Sequence, residues 1–180
     1  MTLGSRTDQA LSPQRALALA VAIEVHNASR FLEWSHRLLA FDLEVAAFFH
    51  GLVEEEHAHA KELAELYAKV FGGTPDFPMH ALPQRLQEYS RAVSAIAGHF
   101  LIVEPRSVRA LLGIALQIER FTRDFYTDLV KRTEDPAQAA VFLRLAEYEA
   151  EHERAFERQL AVLPDDAKKS KSGAAPDDLN

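Results

Sequence analysis

The stretch LALAVAIEV, residues 17–25, decides the fold. It is rich in the strong helix formers Ala and Leu, and no Gly or Pro interrupts it. Read at helical spacing, Leu17, Val21, Glu24, Ala28, Phe31, Ser35 and Leu38 share one face, in alternating steps of four and three. Glu24 is an acid in the middle of that apolar stripe. The stretch GIALQIERF, residues 113–121, repeats the arrangement. There the face is Val108, Leu112, Ala115, Glu119, Thr122, Tyr126 and Leu129, with Glu119 as the anomalous acid.

The helices that carry these stripes are bounded by punctuation. Ser12-Pro13 reads as an N-cap followed by proline at the first helical position, so helix 1 runs from Pro13 to about Leu39. Asp42 caps helix 2, which stops at Gly72-Gly73 after Phe71. Helix 3 runs from about Pro105 to Arg132. Asp135-Pro136 repeats the cap-plus-proline signal and opens helix 4, which ends near Leu163 before Pro164. The connections between helices 1 and 2 and between helices 3 and 4 are short, so each pair forms an antiparallel hairpin. The connection over residues 72–105 is long, with Gln84 to Gly98 able to supply a short extra helix. A 28-residue helix is roughly 42 Å long, and a chain returning along it needs a connection of this size. The expected fold is all-α: a ferritin-like four-helix bundle of two repeated hairpins with a long crossover. Residues 1–12 are an N-terminal extension, 13–163 the bundle, and 164–180 a polar tail expected to be disordered.

Helices 2 and 4 each carry Glu-x-x-His, one turn apart. In helix 4 the stripe is Phe142, Leu145, Glu149, His152, Phe156 and Gln159. In helix 2 it reads as Leu43, Ala47, His50, Glu54, His57, Lys61 and Ala64. A shift of 95 maps Glu24 onto Glu119, Glu54 onto Glu149 and His57 onto His152, with ten identities in the 46 positions from 17 to 62. The chain therefore reads as a duplicated helical hairpin. The run VEEEHAHA, residues 53–60, also contains the register Glu56-x-x-His59. The same shift places Arg154 opposite His59, so His59 is read as a surface residue and His50 as a core or supporting histidine. Glu55, Glu147 and Glu153 read as a solvated charge run. The duplication also assigns RALALAVAI, residues 15–23, to helix 1 rather than to a signal peptide.

Composition narrows the function. The chain has 180 residues and a formal charge of −7, which argues against nucleic acid or an anionic membrane as partner and suits a cation. No apolar stretch is long enough to span a bilayer, and a cytoplasmic location is the expectation. There is no cysteine, which excludes disulfides, thiolate zinc sites and cysteine-bound iron–sulfur clusters.

Four carboxylates and two imidazoles in one core demand compensation. Two divalent cations supply +4 against −4 with the histidines neutral. Oxygen-rich donors with one imidazole per ion suit Fe(II), with Mn(II) the alternative, better than zinc. The expectation is two iron ions per chain, with two of the carboxylates bridging them.

The segments AVAIEVHNASRF, VEEEHAHA, ALQIERFTRDFY and LAEYEAEHERAF resemble the rubrerythrin branch of the ferritin-like superfamily, over about residues 13–163. The resemblance implies a non-haem diiron oxidoreductase that oxidises Fe(II) or reduces hydrogen peroxide or dioxygen. It implies Glu24, Glu54, His57, Glu119, Glu149 and His152 as metal ligands. It also implies Tyr126, seven residues after Glu119, as a tyrosine hydrogen-bonded beside the metals. Three departures stand out. The four-cysteine rubredoxin domain of that family is missing, so electrons would come from a separate donor protein. The family's additional glutamate one turn after the helix 3 ligand is replaced by Thr122, with Asn27 at the equivalent place in helix 1. The haem-binding methionine of bacterioferritin is replaced by Glu55, and no haem is expected. A homodimer is the expected assembly.

Other functions fit the same pattern less well. Iron storage, alone or as cargo of a host shell, would need a large assembly. A diiron oxygenase acting on an organic substrate would need a cleft, and one acting on tRNA a basic face as well. A metal-free bundle leaves the buried acids unexplained.

Overall fold

The computed structural model describes residues 12–84, 86–88 and 105–163. It is all-helical, with four long helices: α1 Pro13–Leu38, α2 Leu43–Phe71, α3 Pro105–Arg132 and α4 Pro136–Val162. A short 3-10 turn, Met79–Ala81, follows α2. Each long helix lies within a residue or two of its sequence-based bounds. The extension before Ser12 and the tail from residue 164 lie outside the described residues. So does most of the extra helix expected over 84–98, of which residues 84 and 86–88 are helical. Among the described residues, no helix is long and apolar enough to cross a membrane.

The punctuation acts through hydrogen bonds to the first-turn amides that a helix leaves unpaired. Ser12 accepts from the Arg15 amide at 3.3 Å, Asp42 from the Val45 amide at 3.0 Å, and Asp135 from the Ala137 amide at 2.8 Å. Gly72, at φ 75°, ends α2 in a backbone conformation that costs a side-chain-bearing residue energy, and its N–H closes onto the Ala68 carbonyl. Arg109 of α3 reaches across to the carbonyls of Leu160 and Leu163 at 3.3 and 2.7 Å, occupying free acceptors at the end of α4.

The apolar core is in two parts. One contains Phe31, Trp34, Phe49 and Phe156, with Phe48 packed edge-on to Phe156 at 5.0 Å. The other contains Leu17, Leu63, Tyr67, Tyr126, Phe142 and Leu145. Along α1, Ala20 belongs to the second part and Ala28 to the first; along α2, Leu52 belongs to the first and Leu63 to the second. Along α3 the order is Ala115 then Tyr126, first to second, and along α4 it is Leu145 then Phe156, second to first. Helices α1 and α4 thus run one way and α2 and α3 the other. Since α2 ends and α3 begins at opposite ends, the 72–104 connection joins the two ends of the bundle. On α2, α3 and α4 the buried acids Glu56, Glu119 and Glu149 lie between the two apolar parts, and on α1 Glu24 follows Ile23 of the first part.

Candidate metal centre

The faces of α1, α3 and α4 turn inward as their apolar periodicity dictates. Glu24, Glu119 and Glu149 are fully buried and His152 is buried beside them. The face of α2 differs from the sequence-based reading. Glu54 and His57 are exposed, as are Leu43, Ala47, His50 and Lys61 of the same stripe. The buried face of α2 is Val45, Phe49, Leu52, Val53, Glu56, His59, Ala60, Leu63 and Tyr67. The inward placement expected for Glu54 and His57 is corrected to Glu56 and His59, and His50 leaves the core. The reason is hydrophobic: the face through Phe49, Leu52, Leu63 and Tyr67 buries far more apolar surface than one through His50, Glu54 and Lys61.

The duplication survives with one adjustment. Glu24 and Glu56 are 32 positions apart, whereas Glu119 and Glu149 are 30 apart. The link between α1 and α2 is four residues, 39–42, against three, 133–135, between α3 and α4, and α1 is also longer by one residue beyond its acid. A gapless shift therefore selects the exposed one of the two overlapping Glu-x-x-His registers in VEEEHAHA.

Two groups of donors result. Ligand atoms of Glu24, Glu56, His59 and Glu149 lie within 4.8 Å of one another, and so do those of Glu56, Glu119, Glu149 and His152. Glu56 and Glu149 belong to both. Each half thus adds one acid and one histidine of its own, Glu24 with His59 and Glu119 with His152. Both histidines aim Nδ1 at the carboxylates. His59 Nδ1 is 3.7 Å from Glu24, and His152 Nδ1 is 3.2 Å from Glu119, 3.3 Å from Glu56 and 3.8 Å from Glu149.

The surroundings leave this cluster uncompensated. Glu24 Oε2, both oxygens of Glu56, Glu119 Oε1, both oxygens of Glu149 and His59 Nδ1 are buried with no hydrogen-bond partner among the described residues. Buried polar atoms are ordinarily paired, and a concentration of orphaned lone pairs in one place suits a lone-pair acceptor such as a cation. Burial, and then the charges of Glu24 and Glu149, push the Glu56 carboxyl well above its ordinary range. Burial and the Glu119 charge do the same to Glu149, and Glu119 is raised mainly by burial. For His152, burial opposes protonation but is outweighed by Glu119, Glu149, Glu55 and Glu56, so its affinity for a proton rises. Burial also opposes the charge on Glu24, yet the nearby Glu56 and His59 and the Tyr126 hydroxyl hold it below the usual value. A donor set that takes up protons when nothing else is bound, and whose bare lone pairs converge, fits divalent cations.

Supporting side chains fix the donors. The Tyr126 hydroxyl donates to Glu24 Oε1, bridging α3 and α1. Glu55, which leaves the helix surface, meets His152 Nε2 at 3.0 Å rather than standing free in solvent. Glu153 is buried rather than solvated, gripped by Arg123 at 2.6 Å and Arg120 at 3.3 Å, which locks α4 to α3 beside His152. Thr122 is buried and its hydroxyl donates to the Ile118 carbonyl at 3.1 Å. Asn27 is fully buried, with neither amide atom paired among the described residues.

A family model described as Ferritin-like domain matches residues 9–165. The chain therefore belongs to the ferritin-like family, a class that includes diiron enzymes and storage proteins. No curated protein and no solved structure matches it.

Proposed function

We propose that this ferritin-like chain is a non-haem diiron oxidoreductase of the rubrerythrin-like branch, oxidising Fe(II) with hydrogen peroxide or dioxygen. The observation that carries the reading is the pair of buried donor groups that share Glu56 and Glu149. Four carboxylates balance two divalent cations, and oxygen-rich groups with one imidazole each favour Fe(II) or Mn(II) over zinc. Glu24 and His59 would hold one ion, Glu119 and His152 the other, with Glu56 and Glu149 between them. When bound, two Fe(II) ions supply two electrons, enough with two protons to reduce one peroxide to water.

The protein's own part is orientation, dryness and proton placement. A neutral histidine that offers Nδ1 carries its proton on Nε2, and Glu55 accepts that proton's hydrogen bond from His152. Tyr126 keeps its proton because burial and the charges of Glu24 and Glu149 push its phenol well above the ordinary value. It therefore orients Glu24 as a donor of a hydrogen bond and not as a competing anion. Buried Ile23, Ala28 and Phe31 on α1 and Leu112 and Ala115 on α3 keep the flanks of the acids dry. Without cysteine the chain holds no cysteine-bound iron–sulfur cluster, and a separate donor protein would supply electrons for repeated turnover.

The test is titration of the metal-free protein with Fe(II) under air, followed by absorbance and metal analysis. Two irons per chain with an oxidised-diiron band is the expected result. No uptake would remove the reading.

A further inference from the structure

The duplication makes the two halves of the centre equivalent in their donors but not in what stands behind them. His152 is met on Nε2 by the Glu55 carboxylate at 3.0 Å. Glu55 immediately precedes Glu56 on α2, and the repeat-related residue preceding Glu149 on α4 is Tyr148. Tyr148 offers no carboxylate; its ring stacks on His59, with centroids 5.0 Å apart and planes at 14°. Among the described residues His59 makes an ion pair through Nδ1 to Glu24 and none through Nε2. The acid that belongs to the same half, Glu24, has Oε1 engaged by the Tyr126 hydroxyl, whereas among the described residues its counterpart Glu119 meets no hydroxyl donor. The structural repeat of Tyr126 on α1 is Phe31, which has no hydroxyl to give.

We infer that the two half-sites bind metal unequally: the Glu119–His152 half, backed by Glu55, holds its ion tightly, and the Glu24–His59 half, backed by Tyr148, exchanges its ion. The inference rests on the dimetal reading above. Its physical ground is that a carboxylate on the outer nitrogen of a ligating histidine fixes the tautomer and raises the basicity of the inner nitrogen, typically worth about 10–100-fold in affinity. Glu55 has a side-chain exposure of 60%, so solvent screens it and the effect belongs near the lower end of that range. A ring stacked on the face of His59 restrains its orientation but adds no basicity. A centre of this kind keeps one resident ion and passes the other, so that Fe(II) as a substrate enters and leaves by the His59 half.

The experiment is anaerobic titration of the metal-free full chain with Co(II), read by calorimetry and visible absorption. The wild type is expected to take up one equivalent and then a second about tenfold more weakly. Glu55→Gln should weaken the first step about tenfold and affect the second less. Tyr148→Glu, which gives His59 the missing carboxylate, should tighten the second step and bring the two constants together. Both positions are exposed, so neither change disturbs the core. Two equal steps in the wild type would overturn the inequality, and unequal steps that neither variant alters would overturn its origin in Glu55 and Tyr148; either result leaves the dimetal centre standing. No Co(II) bound at all would overturn both.

Discussion

The carboxylates of Glu56 and Glu149 lie within 4.8 Å of one another and are the residues common to both buried donor groups. They occupy repeat-related positions, each followed three residues later by the histidine of its own helix, His59 and His152. Among the described residues neither oxygen of either has a hydrogen-bond partner, and both carboxyls are pushed well above their ordinary proton affinity, by burial and then by neighbouring charge. The pair is where the fold concentrates its electrostatic cost, and where bound cations would relieve it.

Metal loading is therefore expected to raise thermal stability. An ion that binds the folded state at 100 times its Kd adds about 2.7 kcal/mol. For a chain of this size that corresponds to roughly 5–10 °C in Tm. Melting curves with and without a chelator measure it. Equal melting temperatures would count against a buried dimetal site.

Helix α2 contains an internal control for the register. Glu56→Ala and His59→Ala should each reduce bound metal by about one ion per chain, while Glu54→Ala and His57→Ala, at exposed positions, should leave it unchanged. Glu56→Gln should also leave the metal-free fold at least as stable as wild type, because it removes one of the mutually repelling buried acids. Metal analysis and melting of the five variants check both halves of the statement. The reverse pattern, with Glu54 and His57 required, would restore the gapless repeat.

The pH dependence has a definite sign. In the metal-free protein the folded-state proton affinities of Glu56, Glu119, Glu149 and His152 are all raised. Groups of this kind contribute stability below their unfolded pKa and lose it as pH rises toward the folded value. His26 acts the other way: burial and the Arg30 charge depress it to about 4, so it removes stability only as pH falls below 6.5. Above pH 6.5 His26 is silent and the raised groups dominate. The metal-free protein should melt at a lower temperature at pH 8 than at pH 6.5. Metal affinity should rise over the same interval, since ligands must shed protons to bind. Thermal melts at the two pH values measure the first, and Mn(II) titrations the second.

Tyr126 tests the coupling between α3 and Glu24. Replacing it with Phe leaves Glu24 Oε1 buried without its donor, a loss of about 1–3 kcal/mol in the metal-free protein. In the loaded protein Glu24 loses its orientation, and Fe(II) oxidation should slow about tenfold. Stopped-flow absorbance would follow the rate. Unchanged kinetics would leave Tyr126 as a packing residue, stacked on Phe142 at 6.4 Å.

Much of this was legible in the sequence because the signals were redundant. Cap-plus-proline pairs and Gly72 bounded the helices, and the stripes of α1, α3 and α4 placed Glu24, Glu119, Glu149 and His152 in the interior. The stripe of α2 was not legible from the motif, because VEEEHAHA satisfies Glu-x-x-His twice within two residues. Repeat symmetry favoured Glu54 and His57 only under the assumption of equal loops. The apolar residues around the motif held the answer: Phe49, Leu52, Val53 and Leu63 are in phase with Glu56 and out of phase with Glu54. The roles of Glu55 and Glu153 had no sequence signal, since an acid on a charged helix face looks the same whether or not it reaches a partner. They depend on how α2 and α4 sit against each other and against α3.

The most direct test of the central claim is anomalous scattering at the iron edge from crystals of the Fe(II)-loaded protein. The account predicts two iron peaks per chain between Glu56 and Glu149, one beside Glu24 and His59 and the other beside Glu119 and His152. No peak in the bundle interior, or iron held instead at Glu54 and His57 on the surface of α2, would contradict it.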